Sequence, residues 1–132
     1  MNTHRVTISR RYDFEAAHFL PHVPKGHKCL RMHGHSYVVE VEITGLVQEF
    51  GGEAGMVCDF DPIDACWKNL WSRIDHTVLN ESWTPNPTVE ICAKLVHDHF
   101  AANLNAPYES IRIVYREGPR STCVYPPRGA ES

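Results

Sequence analysis

The chain has 132 residues, 42% hydrophobic and 22% charged, which is ordinary globular composition and enough length for one domain, residues 1–132, with a buried core. Its formal net charge of −3 carries no basic footprint, which argues against a nucleic-acid partner. No run approaches the roughly 18 apolar residues of a membrane span, and Met1 to Arg5 holds no apolar leader, so no membrane partner and a cytoplasmic location are expected.

In chain order, Val6, Ile8, Tyr12, Phe14, Ala16 and His18 share one parity, and Tyr37, Val39, Val41 and Ile43 repeat the pattern over Ser36 to Thr44. Both stretches read as half-buried strands. Asp61-Pro62 has the form of an N-cap followed by proline at the first helical position, with Asp59 as the alternative cap. Ile63, Cys66, Trp67, Leu70 and Ile74 then follow helical spacing. A second helix is predicted from Thr88, with Val89, Cys92, Val96 and Phe100 as its stripe. Strand signals return at Ile111 to Glu117 and Ser121 to Tyr125, joined by Gly118-Pro119, and the tail from 126 to 132 is expected to fray. The order strand-strand-helix-helix-strand-strand predicts an α+β chain: a four-stranded antiparallel sheet with two helices on one face. Its open edges predict assembly through sheet edges.

The most informative segment is Cys29-Leu30-Arg31-Met32-His33-Gly34-His35, with His18 eleven residues before the cysteine. Strand side chains repeat every second position, so His33 and His35 share a face. That face has the apolar parity of the second strand, as His18 has the apolar parity of the first, unless Gly34 forms a bulge that shifts the register. Three imidazoles on the covered face of one sheet are either hydrogen-bonded core histidines or a shared metal site; three on the inward parity of adjacent strands favour the metal, and zinc accepts neutral imidazole. Two arrangements remain open. Three histidines with an open position make a catalytic centre, whereas Cys29 as fourth ligand closes a structural one.

The five cysteines, at 29, 58, 66, 92 and 123, form no C-x-x-C pair and fit a reducing compartment, with Cys66 and Cys92 as small core residues. Cys29 differs from them, because His27, Lys28 and Arg31 surround it and positive charge favours a thiolate. Asp75-His76 after the first helix is either an acid/base pair or a surface turn. Glu117 ends its strand on the apolar parity, where an unpaired carboxylate is costly. It either takes a ligand with two adjacent N–H donors, such as the 2-amino edge of a pterin or guanine, or pairs with Arg112, Arg116 or Arg120. His97-Asp98-His99 lies inside a predicted helix, where residues two apart are about 200° apart, so it reads as a solvated face.

Taken in order, Phe14-Glu15-Ala16-Ala17-His18, Gly26-His27-Lys28-Cys29, His33-Gly34-His35, Gly55 to Phe60, Asp75 to Asn80, Asn86 to Glu90 and Glu117 resemble the family of 6-carboxytetrahydropterin and 6-pyruvoyltetrahydropterin synthases over roughly residues 6 to 125. The resemblance implies a tunnelling fold, in which such units join through their sheets into a trimeric barrel and two barrels stack into a homohexamer. It implies Zn2+ on His18, His33 and His35, Cys29 as catalytic acid/base, and Asp75 with His76 completing a triad across a subunit boundary. It also implies Glu117 as the pterin anchor, with the Thr88 region helping to hold the ring. No motif position departs from the family pattern.

Three residues between Cys29 and His33 resemble the carboxy-forming branch, which serves queuosine biosynthesis. The expected reaction is conversion of 7,8-dihydroneopterin triphosphate to 6-carboxytetrahydropterin with loss of acetaldehyde and triphosphate. Lys25, Lys28 and Arg31 read as triphosphate contacts or as a solvated basic loop. The competing readings are the pyruvoyl-forming synthase, a zinc hydrolase without an H-E-x-x-H helix, and a non-catalytic module in which zinc holds the first two strands together.

Overall fold

The computed structural model describes residues 3–129. Strand β1 (Arg5–His18) pairs antiparallel with β2 (His33–Leu46) over its full length, from Arg5 opposite Leu46 to His18 opposite His33. Both strands alternate apolar and polar residues over most of their length, with Arg10 the exception on the inward parity of β1, and this specifies the register, because a slip of one residue would turn the buried side chains outward. The second strand starts three residues earlier than the sequence pattern indicates. Gly34 pairs with Ala17 in register and forms no bulge.

Helix α1 (Phe60–Ile74) buries Ile63, Cys66, Trp67, Leu70 and Ile74, the stripe seen in the sequence. Its cap is Asp59, whose side chain accepts the Asp61 N–H. Pro62 therefore sits in the first turn, where a missing N–H costs nothing. Helix α3 (Val89–Asn103) is capped by Thr88, whose hydroxyl accepts the Ile91 N–H. Strands β4 (Ser110–Glu117) and β5 (Ser121–Tyr125) complete the antiparallel part of the sheet.

The expected four-stranded antiparallel sheet with two helices is corrected by two short elements. Thr77–Val78 forms β3, which pairs parallel to β1 through Ala16 and Ala17, so the sheet is mixed and five-stranded in the order β3-β1-β2-β4-β5. One helical turn, α2 (Leu79–Ser82), follows at once. A two-residue strand has no room for alternation, and a four-residue helix has no periodicity, so neither leaves a pattern to read. Their positions are held by tertiary bonds: the His76 N–H donates to the Glu15 carbonyl, and Thr77 Oγ1 donates to the Ile74 carbonyl at 2.6 Å.

The core lies between α1, α3 and the inward parity of the sheet. Aromatic rings dominate its end near the histidines: Phe14 stacks on Tyr37 at 4.6 Å, and Tyr12 stacks on Trp67 at 5.0 Å. The opposite face of the sheet is polar, with Glu40 between Arg11 and Arg116 and with Glu42 paired to Arg128. Of the segment expected to fray, Pro126 and Pro127 hold the Arg112 guanidinium through their carbonyls, while 130–132 lie outside the described residues. His97-Asp98-His99 is not a solvated face. The His97 ring packs edge-on against Tyr125 at 5.0 Å, and His99 Nε2 meets the Cys66 carbonyl at 2.8 Å, so the two rings serve different sides of α3.

Among the described residues, no helix is long and apolar enough to cross a membrane. Replacing Phe14 with alanine removes a ring that is 2% exposed and stacked on Tyr37, and is expected to cost about 3–5 kcal/mol. Urea denaturation measures this, and a loss below about 1 kcal/mol would show that the site collapses to fill the void.

Candidate metal centre and flanking clefts

The register places His18 opposite His33 and Ala16 opposite His35, so the three rings converge at the end of the β1–β2 ribbon. Their ring centroids lie 4.7, 5.1 and 4.8 Å apart, and their candidate ligand atoms all fall within 4.8 Å of one another. This is a cluster able to hold a divalent metal ion. Cys29 does not belong to that group of ligand atoms, which favours an open three-histidine centre over a closed four-ligand site.

Backbone carbonyls set the tautomers. His18 Nδ1 donates to the Pro87 carbonyl at 3.0 Å, and His33 Nδ1 donates to the Arg31 carbonyl at 2.7 Å. A carbonyl only accepts, so each Nδ1 carries the proton and each Nε2 presents a lone pair. Those two Nε2 atoms are 3.1 Å apart. Two facing lone pairs repel, and a cation shared between them removes the repulsion. The donor set therefore fits a metal. Burial of His18, 2% exposed, pushes its imidazole below the ordinary value against the pull of Glu117, and the neutral ring is the ligating form.

The Glu117 carboxylate faces the cluster. Its oxygens lie 3.6 Å from His35 Nε2 and 3.7 Å from His18 Nε2. The sequence alternative of pairing with Arg116 is not taken up, because that guanidinium bonds Glu40 on the other face of the sheet. Glu117 and Cys29 line one cleft of about 580 Å³ together with His33 and His35. Cys29 sits in a short 3₁₀ turn (Lys28–Leu30), where its N–H donates to His27 Nδ1 and its carbonyl accepts the Leu20 N–H.

His76 lines a second cleft, of about 600 Å³, and His35 lines both clefts. Within one chain, Cys29 and His76 thus line different clefts. His76 Nδ1 and Asp75 Oδ2 are 2.7 Å apart, and Asp75 Oδ1 accepts the Glu15 N–H at 3.0 Å. Burial opposes ionisation of Asp75, but the Glu15 N–H and the His76 ring outweigh it and hold the carboxyl below its ordinary value. The His76 backbone has φ +56°, a left-handed conformation that costs a histidine roughly 1–2 kcal/mol. Its N–H bond to the Glu15 carbonyl and its ring bond to Asp75 hold it there, with the side chain 75% exposed. Thr88, expected near a ligand, spends its hydroxyl on capping α3 and lines neither cleft.

Sequence reasoning missed the groups that hold the histidines. Asn80 bonds the Phe19 N–H and the Phe19 carbonyl with its side chain, and donates to the Pro85 carbonyl at 3.2 Å. It thereby ties the residue after His18 to the loop that carries Pro87. The Pro87 and Arg31 carbonyls leave no trace in a sequence, because every residue has one.

A mixed sheet under two long helices, with a three-histidine centre at one end, defines a metal-binding α+β protein. The profile of the family "6-pyruvoyl tetrahydropterin synthase" matches residues 7–128. The chain belongs to that family. It is 31% identical over 132 aligned residues to the 6-carboxy-5,6,7,8-tetrahydropterin synthase of Bacillus subtilis, covering 92% of this chain and 85% of that protein. A putative 6-carboxy-5,6,7,8-tetrahydropterin synthase of Archaeoglobus fulgidus is 38% identical over 93 residues, 70% of this chain and 74% of the relative. The fold is that of the 6-pyruvoyl tetrahydropterin synthase of Caenorhabditis elegans, with TM-score 0.78 at 24% identity, covering 92% of this chain and 94% of that one.

Asn80→Ala is expected to weaken metal affinity by roughly 10–100-fold through loss of the support behind His18. Competition against a chromophoric chelator measures it, and wild-type affinity would show that the clamp is dispensable. Asp75 has a depressed carboxyl, so its stabilising contribution is present above the ordinary value of 3.8 and is lost as the pH falls below it. The stability gap between wild type and Asp75→Asn should therefore close on acidification toward pH 2, and a gap that widens there would contradict the assignment.

Proposed function

We propose that the protein is a zinc-dependent 6-carboxy-5,6,7,8-tetrahydropterin synthase of queuosine biosynthesis. It converts 7,8-dihydroneopterin triphosphate to 6-carboxytetrahydropterin, acetaldehyde and triphosphate. The observation that carries the reading is the three-histidine cluster, of which His33 and His35 line one cleft with both a thiol and a carboxylate. The family membership and the names of the B. subtilis and A. fulgidus relatives support the carboxy-forming branch.

His18, His33 and His35 would hold zinc, which when bound supplies Lewis acidity and a template for the substrate's side-chain hydroxyls. Glu117 accepts the two adjacent N–H donors of the pterin edge and so aims the substrate side chain toward the centre. Cys29 moves protons at the side-chain carbons, and the Asp75–His76 pair supplies the second acid/base. Asp75 holds the Nδ1 proton of His76, which leaves Nε2 as the working nitrogen at the exposed end of the ring. Because His76 and Cys29 line different clefts of one chain, His76 serves Cys29 of a neighbouring copy. The part of β1 that the two-residue β3 leaves unpaired, and the edge strand β5, offer the contacts for a ring of copies, as in a dimer of trimers. All five cysteines are free, which suits a reducing cytoplasm.

The deciding experiment is to incubate the zinc-loaded protein with 7,8-dihydroneopterin triphosphate and identify every product by mass spectrometry. Acetaldehyde with 6-carboxytetrahydropterin is expected, whereas the 6-pyruvoyl product would place the chain in the sister branch. Cys29→Ala should retain the metal and lose roughly 10²–10⁴-fold in turnover. Departure of the metal with the thiol would make Cys29 a ligand. Glu117→Ala should weaken substrate binding with the metal retained.

A further inference from the structure

Five arginines spend their charge on carboxylates: Arg5 on Glu109, Arg10 on Asp64, Arg11 and Arg116 on Glu40, and Arg128 on Glu42. At the cleft that holds Cys29 and Glu117 this pattern breaks. Lys28 and Arg120 both line it, are exposed, and have no carboxylate partner among the described residues. They come from different segments, the 3₁₀ turn before β2 and the turn between β4 and β5, and so flank the cleft independently. Both backbones are pinned. The 3₁₀ turn is held by Leu20 N–H to Cys29 carbonyl at 2.8 Å, and the other turn by Gly118 N–H to Ser36 carbonyl at 2.8 Å. Lys25 and Arg31, the other basic residues of the loop, do not line the cleft.

Two exposed cations that pair with no carboxylate among the described residues, on pinned backbones at the rim of a cleft that reaches the candidate metal centre, suit a multiply charged anion. Lysine supplies a compact point charge, and arginine supplies a planar fork that bonds two phosphate oxygens at once. We propose that Lys28 and Arg120 form a polyphosphate clamp, which holds the triphosphate tail of the substrate while Glu117 holds the ring. This rests on the reading of the substrate as a pterin triphosphate, and it adds Arg120, which no sequence motif singles out as a phosphate contact. The same clamp would retain the released triphosphate, so free triphosphate is a usable probe.

The test titrates inorganic triphosphate calorimetrically into the metal-loaded, full-length protein, with inorganic phosphate for comparison. Any contribution from the metal is common to wild type and variants, so the difference isolates the cations. Arg120→Gln and Lys28→Gln are each expected to weaken triphosphate binding by roughly tenfold, with the double variant weaker still. Wild type should bind triphosphate more tightly than phosphate, and increasingly so at low ionic strength. Binding of 7,8-dihydroneopterin, which has no phosphates, should change by less than about twofold in the same variants, because neutral ring contacts do not involve the clamp. Unchanged triphosphate affinity in the double variant overturns the clamp. So does an equal loss for triphosphate and for dihydroneopterin, which would mark general damage to the cleft. Triphosphate binding that depends on both residues, in a protein that turns over no dihydroneopterin triphosphate, supports the clamp and removes the proposed reaction instead.

Discussion

The structure depends on one uninterrupted pairing, that of β1 with β2 from Arg5–Leu46 to His18–His33. Fourteen residues on each strand pair without a bulge, so side-chain facing alternates unbroken and the end of the ribbon inherits the facing of its middle. Val39, Val41 and Ile43 are buried because they face α1 and α3, and that same parity turns His33 and His35 toward His18. A bulge anywhere in the ribbon would have separated the ligands. The hydrophobic core thus sets the geometry of the polar centre.

Around that centre the main chain does as much as the side chains. Carbonyls of Pro87 and Arg31 each take an Nδ1 proton and leave two Nε2 lone pairs facing one another. Such an arrangement is electrostatically unfavourable alone and favourable around a cation, which makes the protein's own strain a source of metal affinity. The loop that supplies Pro87 is held by Asn80, and Asn80 belongs to the short α2 turn after β3. The two elements that a pattern search overlooks are therefore the ones that position the loop behind the buried ligand.

His35 lines two clefts with different chemistry. One carries a thiol, a carboxylate and two cations; the other carries His76, on a left-handed backbone and bonded to Asp75. The conformational cost at His76 is met by two local bonds, to the Glu15 carbonyl and to Asp75, and the ring is left directed at solvent. A ring so fixed and so exposed has its Nε2 available to a group outside its own cleft.

The amino-acid sequence alone determined the long elements, because periodicity needs length: the alternation of β1 and β2, the stripe Ile63, Cys66, Trp67, Leu70 and Ile74, and the strands ending at Glu117 and Tyr125. It also determined that His18, His33 and His35 share a face, since parity passes along a strand from residue to residue. Only the tertiary structure decided that Thr77–Val78 joins the sheet as a fifth, parallel strand, and that Asp59 caps α1. It likewise decided that His97 and His99 pack against Tyr125 and the Cys66 carbonyl, where helical spacing alone had suggested solvent. The same holds for Arg120 in one cleft with Cys29 and for His76 in the other cleft that His35 lines, because those placements arise between segments far apart in the chain. A pattern reports the surroundings that a residue repeats with its neighbours, whereas a single contact between distant segments repeats nothing and exists only once the chain has folded.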